Sequence, residues 1–343
     1  MPQDSLPALA ATSSLPEIPV LHVSENFPLE TALAVGETRG YALLDRATAG
    51  IPPHAIRIGD ALSRSWLART DHPRLAEIDG IARQVKRPGT YFFNVHYEWG
   101  CTTAAKPAGS GGNRLVRVLD WRTPGLGTYV VAARVNGVKG PWVTLTWPGY
   151  TGVLQAMAKG RFAAAINQAP KRAAHGRVAL DWIAARRRVW RSRALTPSHL
   201  LRRVFEEAAS YAEAKACLTE TPVAAPVIYT LAGPAPGEAC VIERRELEAC
   251  VITSSAGAQT SNDWQTEAWH EPRTPGRWSP ERLAAMKAVA AAPDFDRPFE
   301  WLKPPMLNEE SRLAVLADPA TGRIAARGYE ADGPATAVLD ITI

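Results

Sequence analysis

The segment 91–121, YFFNVHYEWGCTTAAKPAGSGGNRLVRVLDW, holds three side chains of complementary chemistry: Cys101 directly after Gly100, then Arg117, then Asp120 three positions further on. A thiolate is a nucleophile, a guanidinium stabilises a thiolate and developing negative charge, and a carboxylate orients an amine by hydrogen bonding. A free α-amine titrates near about 7.7–8.0 and a thiol near about 8.5. Were the 100–101 peptide bond cut, Cys101 would therefore carry a nucleophile and a base on one residue, with no histidine required. The other reading of the same residues is plain: a lone cysteine at the start of an apolar strand is commonly a small buried hydrophobe, and Arg-x-x-Asp is a frequent chance pattern. Both stand at this point.

The elements around these residues bear on the choice. PAGSGGN (107–113) is a turn-rich loop, so the segments before and after it read as a hairpin. Its simplest register opposes Lys106 to Arg114, Thr103 to Arg117, Cys101 to Leu119 and Gly100 to Asp120. Arg117 would then lie diagonally from Cys101 on one face of the sheet, and a new amine at Cys101 would emerge beside Asp120. A slip of one residue would reverse every face. Gly100 suits a strained scissile bond because glycine tolerates unusual φ and ψ.

Other groups could serve a thiol. His96, on the stretch entering Cys101, and His270 are candidate bases for a Cys–His pair, although a strand histidine beside a tyrosine more often makes a structural hydrogen bond. Glu98 could assist a cut before Cys101 or simply form a surface ion pair. Cys217, Cys240 and Cys250 fall within helix or strand patterns and read as packing thiols. No CxxC pair or His/Cys spacing of a zinc site occurs, so no metal, disulfide framework or cofactor is expected.

Along the chain, residues 1–25 are rich in Pro, Ser and Ala and read as an extended arm. Helical periodicity follows over 52–69, with Ile56, Leu62, Trp66 and Leu67 near one face, and over 72–85, with Leu75, Ile78, Ile81 and Val85. Strand patterns then run over 91–97, 101–106, 114–120, 127–135, 141–147 and 162–166. Thr196-Pro197 opens a helix to residue 218 whose buried stripe is Leu200, Val204, Ala208, Tyr211 and Leu218. Strands at 226–231, 238–243 and 249–254, a helix at 279–291, and closing strands at 312–316 and 336–342 complete the order. Blocks of helices and strands of this kind imply an α+β architecture of sheet and helix layers rather than alternating βαβ units.

With 343 residues, 46% hydrophobic and 21% charged, the chain can bury a large core and has ordinary globular usage. No apolar run reaches the length that spans a bilayer and the start lacks an export pattern, so a cytoplasmic chain is expected. The net charge of +5 is fed by the run AARRRVWRSR (184–193). A solvated helix face is the first reading of that run, with weak contact to a membrane surface as the other; no nucleic-acid motif accompanies it.

FNVHYEWGCTT (93–103) followed by RVLDW (117–121) resembles the cleavage and nucleophile region of the N-terminal-nucleophile amidases that include acid ceramidase and the N-acylethanolamine-hydrolysing acid amidase, and, more distantly, choloylglycine hydrolase and penicillin V acylase. The resemblance continues in WPGYTGVLQAM (147–157), FAAAINQ (162–168), PVIYTLAG (226–233) and SNDW (261–264). It implies a four-layer αββα sandwich of two stacked antiparallel sheets flanked by helices. It also implies a precursor that cuts itself before the cysteine, giving a pro-segment or α chain, 1–100, and a catalytic β chain, 101–343, which stay associated as one body. The implied activity is hydrolysis of the linear amide bond of a small N-acyl substrate, fatty-acyl amide or ceramide-like, through an acyl-enzyme. An acyltransferase, or an unprocessed lipid-binding protein, is the alternative.

By the same resemblance Cys101 is the nucleophile and its own amine the base, Arg117 and Asp120 assist, Asn262 donates its side-chain amide to the oxyanion, and the backbone N–H at Asn167 is the second donor. Arg282 is the second arginine of the site, ahead of Arg277 and Arg273. Trp121, Trp147 and Tyr150 are expected in the acyl pocket. Two departures bear on substrate preference: Trp99-Gly100 precedes the cut where the ceramidase branch has β-branched or polar residues, and the TSNDW loop is one residue shorter than in that branch.

Overall fold

The computed structural model describes residues 15–95, 99–173, 175–269, 271–292 and 298–343. Eight strands form the first sheet, in the order β1-β4-β5-β6-β7-β9-β10-β11. They are β1 (Val20–Val23), β4 (Val131–Gly137), β5 (Gly140–Thr146), β6 (Gln155–Ala158), β7 (Phe162–Gln168), β9 (Val227–Ala232), β10 (Ala239–Arg244) and β11 (Ala249–Thr253). Every neighbouring pair is antiparallel except β1 with β4. The second sheet runs β12 (Ala258–Thr260), β2 (Gly100–Pro107), β3 (Asn113–Asp120), β14 (Ser311–Asp318), β15 (Arg323–Glu330) and β16 (Gly333–Pro334), with β17 (Leu339–Thr342) also on β15. A two-residue pair, β8 (Lys171–Arg172) with β13 (Arg273–Thr274), lies apart.

Alternation in β2 and β3 sets the layers. Cys101, Ala105, Leu115 and Leu119 join the large core shared with Ala163, Ala165 and Tyr229 of the first sheet. Ala104, Val116 and Val118 point the other way, into a second core with Met286 and Ala290 of α9 (Ser279–Ala291). On the outer side of the first sheet, α7 (Pro197–Glu207) and α8 (Tyr211–Glu220) bury Leu200, Leu201, Val204, Phe205, Ala214 and Leu218. Each of the leucine, valine and phenylalanine side chains, fully removed from water, contributes on the order of 1.5–3 kcal/mol before entropy is counted. Helix, sheet, sheet and helix therefore stack as an αββα sandwich.

The hairpin register is the one expected: Gly100 opposes Asp120, Cys101 opposes Leu119, Thr103 opposes Arg117 and Lys106 opposes Arg114. Of the strand expected over 91–97, the described part, 91–95, differs from expectation. Thr90–Asn94 is a short helix, α5, despite its aromatic content. Gly89 enters it at φ 113°, and the carboxylate of Asp60 accepts the backbone N–H groups of Gly89 (2.6 Å) and Phe92 (2.9 Å). That cap comes from α3 (Pro53–Arg69), remote in sequence. His96 and Glu98 lie outside the described residues.

Other boundaries move for local reasons. The helix expected from 196 to 218 is two helices, because Ser210 is extended and its hydroxyl accepts the Glu213 N–H to start α8. The 127–135 strand begins only at Val131, and Leu62 of α3 is exposed while Ile56, Trp66 and Leu67 are buried. Of the N-terminal arm, residues 20–23 form β1. α1 (Phe27–Val35), a π-helical turn over Gly36–Gly40, α2 (Tyr41–Thr48) and α4 (Leu75–Val85) are further described elements, and neither β6 nor β15 carried a clear sequence signal. The arginine-rich run lies on α6 (Val178–Arg191) up to Arg191, with Ser192 and Arg193 just past its end and Leu180, Trp182 and Ile183 about half exposed beside it. Among the described residues no helix is long and apolar enough to cross a membrane.

Candidate active site

β2 places the Cys101 side chain in the space between the sheets, where it is fully buried. Arg117, on the same face of β3, donates from Nη2 to Cys101 Sγ at 3.0 Å and to the Ile166 carbonyl at 3.0 Å. Its Nη1 donates to the Leu154 carbonyl and to Gln155 Oε1. These acceptors fix the guanidinium in the apolar core with one N–H group aimed at sulfur. Burial pushes the Cys101 thiol above the usual thiol range, and Arg117 opposes that shift by favouring the thiolate.

The Cys101 backbone faces a different set of groups. Its N–H donates to Asn262 Oδ1 at 2.8 Å, and its carbonyl accepts Arg282 Nη1 at 2.8 Å. Arg282, from the first turn of α9, also donates to Thr102 Oγ1 (2.8 Å), Asp120 Oδ2 (3.1 Å), Asn262 Oδ1 (2.8 Å) and the Arg277 carbonyl (3.0 Å). Ser311 donates to the other oxygen of Asp120 at 2.8 Å. Asp120 is buried, which pushes its carboxyl pKa up, with the Arg282 cation pulling it back. The hairpin register expects a new Cys101 amine, once the 100–101 bond is cut, to emerge beside Asp120; in the uncut chain the Cys101 nitrogen is a backbone N–H. There Asn262 accepts it and Asp120 is one step removed through Arg282, because the Cys101 N–H points toward the β12 side of β2 rather than toward β3.

Of the three arginines considered, the structure brings Arg282 to Cys101. Arg273 pairs with Asp263 at 2.5 Å, and Arg277 pairs at the surface with Glu309 (2.7 Å) and Glu310 (3.3 Å). Asn167 is buried. Its side chain accepts from Thr103 Oγ1 (2.6 Å) and donates to the Ser261 carbonyl (3.1 Å), while its backbone pairs opposite Ile228 in the β7–β9 ladder.

A cleft of about 600 Å³ reaches this assembly. Near the site its walls are Trp99, Gly100, Asp120, Trp121, Gln168, Asn262, Trp278 and Arg282, and farther out they include Ala185 and Val189 of α6 and Ala224 to Pro226. Cys101 does not line it; Gly100 stands at that point. Trp147 and Tyr150, expected in the pocket, lie behind it. Trp147 packs edge-on against Trp121 with centroids 6.0 Å apart and donates its indole N–H to the Leu126 carbonyl, and Tyr150 packs on Trp147 at 6.1 Å. Trp121 covers them. Gly100 has no positive φ. Its Cα is instead close to Asp120, where an added Cβ would lie 3.2 Å from the Asp120 Cβ, so closeness rather than backbone strain accounts for glycine.

Comparison with known proteins gives the frame for this geometry. No family model matches the chain. Human acid ceramidase is 26% identical over 183 residues, covering 52% of this chain and 45% of that protein. The mouse acid ceramidase is 34% identical over 100 residues, covering 29% of this chain and 24% of that protein. The chain thus matches less than half the length of these curated relatives. A solved structure of a Caenorhabditis elegans N-acylethanolamine-hydrolyzing acid amidase ortholog superposes with a TM-score of 0.53 at 18% identity, covering 70% of this chain and all of the other. The chain shares the αββα fold of that amidase and is similar in sequence to acid ceramidase over about half of its own length. Gln168, Trp278, Ser261, Ser279 and Ser311 surround the site without having been singled out in the sequence. Only the position of Gln168, directly after Asn167 at the end of an apolar strand, offered a local signal. His270 lies outside the described residues.

Proposed function

We propose that the chain is a cysteine amidase that activates itself by cutting before Cys101 and then hydrolyses the linear amide bond of a small N-acyl substrate. One observation carries the reading: Cys101 Sγ receives an arginine N–H at 3.0 Å while the nitrogen of the same residue is held by Asn262 at 2.8 Å. A sulfur and the nitrogen that would become its base are thus both held by buried polar partners. Kinship with acid ceramidase supports the amide chemistry.

For the cut, Cys101 Sγ adds to the Gly100 carbonyl carbon, the 100–101 C–N bond breaks, and the nitrogen takes up the proton the thiol gives up. A thioester joins Gly100 to sulfur. Water adds to that carbonyl, the C–S bond breaks, a proton returns to sulfur, and the Gly100 carboxyl leaves. The gap left by Gly100 opens sulfur to the cleft. In turnover the new amine takes the thiol proton and the thiolate attacks the substrate carbonyl. The oxyanion takes the Asn262 Nδ2 donor, which otherwise donates to the Gln168 carbonyl at 2.8 Å. The amine passes its proton to the departing nitrogen, and water, deprotonated by the same amine, releases the acid. No role is assigned to the Asn167 N–H, which the β7–β9 ladder occupies.

The acyl group is expected in the apolar length of the cleft past Trp121, Ala169 and Pro170. Intact mass measurement tests the first half of the proposal: fragments ending at Gly100 and beginning at Cys101 are expected from the wild-type chain and none from Cys101→Ala. Hydrolysis of a panel of N-acyl amides, absent in Cys101→Ala, tests the second. A wild-type chain that stays whole at every pH and leaves every amide uncut would refute the proposal.

A further inference from the structure

Asn262 lies on the irregular segment between β12 and β13, so no ladder fixes it and its position depends on what that segment is tied to. One tie comes from α9. Ser279 Oγ accepts the Asn262 N–H at 3.0 Å and shares a 2.5 Å contact with Ser261 Oγ. β7 and the loop before α9 add others: Asn167 donates to the Ser261 carbonyl (3.1 Å), Asn262 donates to the Gln168 carbonyl (2.8 Å), and the Gly276 N–H donates to the Asn262 carbonyl (3.0 Å). A further tie, on the C-terminal side of Asn262, comes from β10. Glu243, fully buried, accepts the backbone N–H groups of Gln265 (2.6 Å) and Thr266 (3.1 Å) on its two carboxylate oxygens.

Among the described residues no lysine or arginine forms an ion pair with Glu243; burial pushes its carboxyl pKa up, and the N–H donors at 265 and 266 pull it back by favouring the carboxylate. A buried carboxylate without a cation is costly, and a hydrophobic residue would serve packing alone better. Glu243 also sits in one row of the sheet with Asn167, across Ile228 of β9, and so approaches the site from below.

We infer that Glu243 is a positioning residue, whose carboxylate clamps the backbone at 265–266 and thereby holds the Asn262 side chain where it meets Cys101. This rests on the amidase reading for its catalytic consequence, but its structural half does not. Displacing a reacting group by about 1 Å can cost on the order of 100-fold in rate, and loss of an oxyanion donor costs on the order of 100-fold or more. Glu243→Gln keeps shape and one acceptor but turns an amide N–H toward a backbone donor. Its kcat per titratable Cys101 thiol is expected to fall about tenfold, within the ceiling set by losing the donor itself, with KM changed less than twofold. In an Asn262→Ala background the same change is expected to cost less than twofold, since nothing remains to be positioned.

Hydrogen exchange supplies the arm that needs no catalysis. In the Cys101→Ala chain, Glu243→Gln is expected to speed exchange of the Gln265 and Thr266 amides about tenfold or more while β9 amides keep their protection. Unchanged exchange at both amides overturns the clamp, whether or not the chain proves to be an amidase. Faster exchange with unchanged kcat per thiol, or with fully additive losses alongside Asn262→Ala, overturns the positioning role. A chain with no amidase activity at all overturns the proposed function, and the exchange result then decides the clamp by itself.

Discussion

Replacing Arg282 by Met in the Cys101→Ala chain should expose how the buried polar cluster is balanced. Arg282 is 2% exposed and its N–H groups serve five acceptors: the carbonyls of Cys101 and Arg277, Thr102 Oγ1, Asn262 Oδ1 and Asp120 Oδ2. Without it, the Asp120 carboxylate, 4% exposed in its side chain, would keep the Ser311 hydroxyl but no cation. Leaving one partner of a buried ion pair uncompensated typically costs about 3–5 kcal/mol. The sign of the pH dependence follows from Asp120. Burial raises its folded pKa above the unfolded value of 3.8, so the stability it contributes is present in acid and is lost as pH rises through the folded pKa. Removing Arg282 removes the cation that lowers that pKa and moves the loss toward neutral pH. Urea denaturation should therefore show a deficit of about 3–5 kcal/mol at pH 8 that shrinks by at least about 1 kcal/mol at pH 5. Adding Asp120→Asn should restore about 2 kcal/mol or more at pH 8. A deficit below about 1 kcal/mol at pH 8, a deficit that does not narrow in acid, or no recovery on adding Asp120→Asn would refute the balance described.

Two other outcomes are expected. His72, buried with its ring 4.8 Å from that of His199 and near Arg74, has its pKa held down at about 4 by burial and by the Arg74 charge, against 6.5 for an open imidazole. Its stabilising contribution is present above the unfolded pKa and is lost as pH falls toward 4, about 3 kcal/mol in all, so urea midpoints should drop over that window and drop less in His72→Asn. Gly276→Ala would place a Cβ 2.5 Å from the Asn262 Cβ, so amide hydrolysis should fall at least about tenfold with a stability cost of about 1–3 kcal/mol, and retained activity would show that the loop yields there.

The parts of the site that were legible share a cause: their information is local. The 107–113 loop and the alternation on either side of it set the β2–β3 register, and that register put Arg117 on the same face as Cys101. Arg282 was ranked ahead of its neighbours because it stands in the first turn of a clear helix. The α5 segment was misread because Tyr91, Phe92 and Phe93 favour strand, while the group that stabilises the helix, Asp60, is supplied from another element. Glu243, Ser279 and Ser311 were invisible for the same reason, being ordinary residues until partners distant in sequence give them a function.

The sequence by itself determined the chemistry available: a cysteine behind a glycine, an arginine and an aspartate in fixed register, and an asparagine loop followed by a helix. Periodicity of side chains is a property of each strand and needs nothing else. Only the tertiary structure decided that Asn262 rather than Asp120 holds the Cys101 nitrogen, that Trp121 shields Trp147 and Tyr150 from the cleft, and that Asn167 is committed to the ladder and the core. Those outcomes depend on how two sheets and α9 stack, and on which buried donors find acceptors once water is gone.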